Sequence, residues 1–85
     1  MALELVVLPR AEKDLARLPH ADRDRIKVRI EAYAADPRDP HHDVVALVGT
    51  VGGFRLRVGD WRAIFVVAEG RLEVTRVLHR REAYR

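Results

Sequence analysis

Arg55, Arg57, Arg62, Arg80, Arg81 and Tyr84 are the residues of this sequence whose types and spacing could do chemistry. Arg55 and Arg57 alternate with Phe54, Leu56 and Val58, so in a strand both project from one face. Arg62 opens the next apolar run, just past Gly59-Asp60, and adjacent strands lie about 5 Å apart. The three guanidiniums can therefore meet on one surface. Each is permanently charged and planar, with a fork of donors that matches a phosphate. An aromatic ring beside such a cluster can stack on an unpaired base. The outline is that of a single-stranded RNA site. The competing reading for any one arginine is a solvated strand face, paired to Asp60, Glu73 or Glu82. For the set of three, like charges gathered on one sheet face repel and call for a ligand.

The surrounding sequence predicts the elements that carry these residues. Ala2–Leu8 reads as a strand, and Pro9, which lacks an N–H, ends it and suits the first turn of a helix. Arg10–Leu18 reads as a short helix with Ala11, Leu15 and Leu18 on its apolar stripe and Lys13, Asp14 and Arg17 on other faces. After Pro19, His20–Asp36 reads as a longer helix with Ile26, Ile30, Tyr33 and Ala34 on one side. Asp36-Pro37 stops it, because the residue before proline is pushed out of the helical region. The pair forms an α-hairpin with a shared apolar face.

Pro37–Asp43 is a loop, and Val44–Val48 fits either a turn of helix or an edge segment. Phe54–Val58, Trp61–Ala68 and Leu72–His79 then form three antiparallel strands joined by the tight turns Gly59-Asp60 and Glu69-Gly70. Trp61–Ala68 is apolar on both sides apart from Arg62, which predicts a central strand covered on both faces. The tail Arg80–Arg85 is too short to fold by itself. The expected class is α+β: N-terminal strand, α-helical hairpin, antiparallel β-meander, with residues 1–85 forming one domain. One face of the meander takes the helices, and the other carries Arg55 and Arg57.

Composition narrows the function classes. The 85 residues are 48% hydrophobic and 34% charged, which excludes an intrinsically disordered chain. A chain of this size buries only about 60–65% of its unfolded surface, so its core is thin and a partner would help to hold it. Cysteine is absent, and with it any disulfide framework, thiol nucleophile or Cys-type zinc site. No apolar run reaches the ~18 residues of a membrane span, and MALELVVLPR lacks the form of a secretory leader, so a cytoplasmic protein is expected. Met1–Gly53 carries a net charge of −1, whereas Phe54–Arg85 carries +4. That asymmetry points to nucleic acid, although an arginine-rich composition can produce it without a function. His41–His42 lack a third ligand, so no metal and no cofactor are expected. Trp61 reads as a packing residue.

The stretch FRLRVGDWRAIFVV, followed by VLHRREAYR, resembles the C-terminal half of RelE/ParE-family toxins of bacterial type II toxin–antitoxin pairs. LPRAEKDLARLP, the helical hairpin and the loop at Asp36-Pro37 match the same layout, so the resemblance covers essentially the whole chain. It implies a microbial-ribonuclease-like fold that enters the ribosome and cuts mRNA without a metal. The ribose 2′-OH attacks the adjacent phosphate and leaves a 2′,3′-cyclic phosphate. It further implies that Arg55 and Arg57 match basic residues on the first meander strand. Arg62 matches the arginine after the aromatic, and Arg80 or Arg81 with Tyr84 match the basic tail. The implied partners are a cognate antitoxin, whose amphipathic helix wraps the toxin, and the ribosome with its mRNA. Two departures matter. Relatives often have lysine where this chain has Arg55 and Arg57, and arginine is a poor general base. His79, the nearby group that titrates close to neutrality, is a candidate base or a strand-end residue that orients the tail. Leu78 replaces a frequent glycine, and the Leu-His pair also resembles the ParE branch, which inhibits DNA gyrase without cutting RNA. A third reading is an inactive toxin that only binds its antitoxin.

Overall fold

The structure is a computed structural model and describes residues 2–83. Its elements are β1 (Glu4–Val7), α1 (Pro9–Ala16), α2 (His20–Ala35), β2 (Val44–Ala46), β3 (Gly53–Val58), β4 (Trp61–Ala68), β5 (Arg71–His79) and α3 (Arg80–Ala83). Five strands form one sheet in the order β1-β5-β4-β3-β2. β1 runs parallel to β5, and the other neighbours are antiparallel. The predicted α+β order stands. Pro9 occupies the first turn of α1, and Asp36 caps α2 immediately before Pro37.

Both helices lie on one face of the sheet. Ala11 and Leu15 of α1, together with Ile26, Ile30, Tyr33 and Ala34 of α2, are buried against Leu56, Val58, Ala63, Phe65, Leu72, Val74 and Val77. The alternation of β3 therefore sorts as its sequence predicts: Leu56 and Val58 are buried, and Arg57 between them is exposed. Within Val44–Val48, Val44–Ala46 forms the edge strand β2, because Val44 pairs with Leu56 and packs against the core. Three paired residues are too few to declare a period of their own, so β3 decides the outcome.

The cover expected on both sides of β4 is not there. β4 is interior in the strand order, and Ala63 and Phe65 are each 1% exposed, but Ile64 and Val66 on the other face are only half-buried. Among the described residues, α1 and α2 pack on the Ala63 and Phe65 side instead. Beside Ile64 stand its cross-strand neighbours Arg55 and Arg76, whose aliphatic stems can shelter it in place of a second layer.

The turns are tight for stated reasons. Gly59 has φ +60°, the first position of a two-residue hairpin loop that favours glycine, and a side chain there would also crowd the Arg25 guanidinium. β5 carries a bulge at Thr75: Ile64 pairs with Arg76 and Phe65 with Val74, while the Thr75 hydroxyl donates to the Ile64 carbonyl at 3.2 Å. The tail, too short to fold by itself, takes its structure from the sheet: Arg80–Ala83 forms a helical turn against β5 and β4. No helix among the described residues is long and apolar enough to cross a membrane.

Candidate nucleic-acid interface

The sheet register builds the site. Arg57 pairs with Arg62 and Arg62 with Leu78, while Val45 pairs with Arg55, Arg55 with Ile64, and Ile64 with Arg76. Two rows thus cross the face that the helices leave open. One holds Arg57 and Arg62 side by side, and the other holds Arg55. The predicted sharing of one face by Arg55, Arg57 and Arg62 follows from the period-2 alternation of β3 and β4.

The three guanidiniums are not equally available. Arg57 is exposed, and its Nε donates to Asp43 Oδ2 at 2.6 Å. Arg62 is 6% exposed, and one Nη donates to the carbonyls of Gly59 and Trp61 at 3.0 and 2.9 Å. Its charge is fixed against the β3–β4 turn and does not sweep through solvent. Arg55 is half-buried on β3.

The tail is tied to the same corner. The Arg80 backbone N–H donates to the Asp60 carbonyl at 2.7 Å, and its side chain lies 3.8 Å from the Asp60 carboxylate. Arg80 and Arg81 therefore start beside the turn that follows Arg57 and precedes Arg62. His79 Nδ1 accepts the Arg81 backbone N–H at 3.3 Å, and its ring meets Trp61 edge-on at 5.4 Å. Of the two roles open from the sequence, this geometry is that of the strand-end residue that orients the tail. Trp61 packs against the core, in keeping with its packing role. Tyr84 lies outside the described residues.

His41 and His42 brace their loop. His41 Nδ1 lies 2.7 Å from the Asp39 carboxylate, and His42 Nε2 donates to the Asp36 carbonyl at 2.7 Å. The Asp39 carboxyl is held below its ordinary value by the backbone and side-chain hydrogen bonds of His41. Among the described residues no group of three or more His, Asp or Glu gathers as a metal site.

Two carboxylates that pair with arginines of the sheet escape the sequence reading. Asp14 lies off the apolar stripe of α1, yet its side chain is only 12% exposed. It reaches β5, where it accepts Arg76 Nε at 2.8 Å and the Val77 N–H at 2.9 Å. β1 ends its pairing at Val74, so Asp14 satisfies an edge donor that β1 no longer reaches. Burial works against ionisation of Asp14, but the hydrogen bonds from Arg76 and Val77 and the charges of Arg76 and Arg10 outweigh it and hold its pKa below the ordinary 3.8. Asp43 is the second, and its only sequence signal is its place one residue before an undecided apolar segment.

The chain is thus a small α+β domain with a helical hairpin on one face of its sheet and arginines on the other. The family described as the ParE toxin of the type II toxin–antitoxin system parDE matches residues 5–84, and the chain belongs to that family. It is the toxin of a type II toxin–antitoxin system, of RelE/ParE kind. A chain of the RelB–RelE antitoxin–toxin complex of Methanococcus jannaschii shares 29% identity and a TM-score of 0.79, over 93% of this chain and 94% of that one. A chain of the archaeal RelE–RelB complex of Pyrococcus horikoshii shares 25% identity and a TM-score of 0.78, over 94% and 97%. A double mutant of the E. coli toxin RelE in the free state has the same fold at 19% identity, with a TM-score of 0.81 over 99% and 90%. No curated protein matches the chain.

Proposed function

We propose that this toxin is a ribosome-dependent mRNA endoribonuclease of the cytoplasm, restrained by a cognate antitoxin. The observation that carries the reading is the 2.7 Å hydrogen bond from the Arg80 amide to the Asp60 carbonyl. It fastens the start of the basic tail, Arg80 and Arg81, to the corner of the open face where Arg57 and Arg62 stand side by side. Arginines from three parts of the chain thus start from the same end of the sheet, which supports reading them as one phosphate-binding set.

The reaction is attack of a ribose 2′-OH on the adjacent phosphorus. The P–O5′ bond breaks, a 2′,3′-cyclic phosphate remains, the 2′ proton leaves to solvent, and the departing 5′ oxygen takes up a proton. Negative charge grows on the phosphorane as it forms. Arg62, already fixed by two carbonyls, offers charge that needs no reorganisation, and Arg57 and Arg80 or Arg81 add to it. Arg55 contacts the neighbouring phosphate, and Tyr84 stacks on a base. The chain's own part is charge and positioning. The ribosome, by holding the message, supplies the rest.

The antitoxin covers exposed apolar surface. Val28 on α2 and, on other parts of the surface, Val45, Val48 and Val51 in and after β2 are exposed and apolar, and an antitoxin that wraps the toxin suits such scattered positions. The archaeal relatives, which are found in complexes with RelB, support this.

A second reading, inhibition of DNA gyrase without RNA cleavage, is favoured by Arg55 and Arg57 standing where lysine would offer a base. The two separate in one experiment. Purified toxin is added to a translating extract and, in parallel, to a gyrase supercoiling assay. The ribonuclease reading expects shortened messages only while they are translated, with supercoiling unchanged. Intact messages with lost supercoiling establish the other.

A further inference from the structure

Asp43 is a charged residue beside the arginines of the open face that the arginine reading leaves unused. Its backbone carbonyl accepts the Arg57 N–H at 2.9 Å, so hydrogen bonding between β2 and β3 runs one step beyond the Val44–Leu56 pair. Side chains directly opposed on such a ladder share a face. Asp43 therefore stands at the end of the row that continues through Arg57 and Arg62. Its Oδ2 takes the Arg57 Nε at 2.6 Å, the position a phosphate oxygen would take.

The pair is built to exchange. The Arg57 side chain is 63% exposed and that of Asp43 is 43% exposed, and an ion pair in such a setting is held only weakly. A nucleic-acid phosphate brings more: several oxygens for the same fork, further phosphates for Arg55 and Arg62, and the release of condensed counterions. A displaced Asp43 returns to water at little cost.

We propose that Asp43 is an internal competitor for single-stranded RNA: its carboxylate occupies Arg57 until a phosphate of the strand displaces it. It thereby sets how tightly the open face holds RNA. The proposal rests on the reading of the arginine face as an RNA surface, and it adds the residue that tunes that surface. Asp43 acts through Arg57 alone, so its effect vanishes when Arg57 is removed.

The test is fluorescence anisotropy of a labelled mixed-sequence RNA oligonucleotide titrated with the full chain, at several salt concentrations. Asp43→Asn keeps the backbone carbonyl and removes the charge. It is expected to tighten binding about threefold to fivefold and to steepen the salt dependence. The Asp43→Asn/Arg57→Ala double variant is expected to bind like Arg57→Ala. Asp22→Asn removes the same charge from the helical side and is expected to leave affinity within about twofold. Asp43→Ser reads the same quantity if the asparagine variant does not fold. Unchanged or weaker binding by Asp43→Asn overturns the proposal, and so does equal tightening by Asp22→Asn or in the absence of Arg57. If Arg57→Ala and Arg62→Ala both bind as the wild type does, the RNA surface itself is wrong and the proposal goes with it.

Discussion

The same ion pair is built twice in this sheet, with opposite consequences. Arg76–Asp14 joins β5 to α1, with the Asp14 side chain only 12% exposed and its carboxylate also closing the Val77 amide. Arg57–Asp43 lies on the open face, with both side chains well exposed. The contact distances are alike, 2.8 and 2.6 Å. Breaking the first leaves a backbone donor unpaired beside a charge that has lost its partner. Breaking the second lets water or a phosphate step in. For these two pairs, burial and not contact distance decides whether breaking the contact costs the fold or lets a ligand in.

Three changes sharpen or break that contrast, and the largest effect is expected at Arg62. It lies on the open face yet is anchored like a structural residue. Under the ribonuclease reading, Arg62→Ala lowers single-turnover cleavage of ribosome-bound mRNA about 10²–10³-fold. Retention of full cleavage would move Arg62 to the structural side. Next is Asp14→Ala, expected to cost about 1–3 kcal/mol in urea unfolding, against less than about 1 kcal/mol for Asp43→Ala. Equal losses would erase the distinction.

The third change is a titration. The Asp14 pKa is lowered on folding, so its contribution is fully present above the unfolded value of 3.8 and is lost as pH falls through the lower folded value. The stability difference between the wild type and Asp14→Asn should therefore be constant near neutrality and narrow in strong acid. A gap that stays constant throughout would place the Asp14 effect outside its charge.

The two pairs also mark where sequence reasoning reaches and where it stops. The helices, the meander and the shared face of Arg55, Arg57 and Arg62 follow from periods of 3.6 and 2 together with Pro and Gly punctuation. Both carboxylate partners were out of reach, because each depends on non-local register. Asp14 meets Arg76 across 62 residues, at a place defined by where β1 stops pairing. Asp43 meets Arg57 only once β2 is known to be a strand, and three residues carry no period to say so. The missing cover on β4 has a similar cause. An apolar outer face reads as buried in sequence, whereas here Arg55 and Arg76 stand beside Ile64 where a second layer would lie.

The most direct measurement is the chemistry of the RNA ends. Messages from cells expressing the toxin, its Arg62→Ala variant or neither are captured with a ligase that accepts only 2′,3′-cyclic phosphate termini, and the ends are mapped against the reading frame. The account predicts new cyclic-phosphate ends inside translated codons with the wild-type chain and their loss with Arg62→Ala. Growth arrest by the wild-type chain with no such ends, or ends that persist undiminished in the variant, would contradict it.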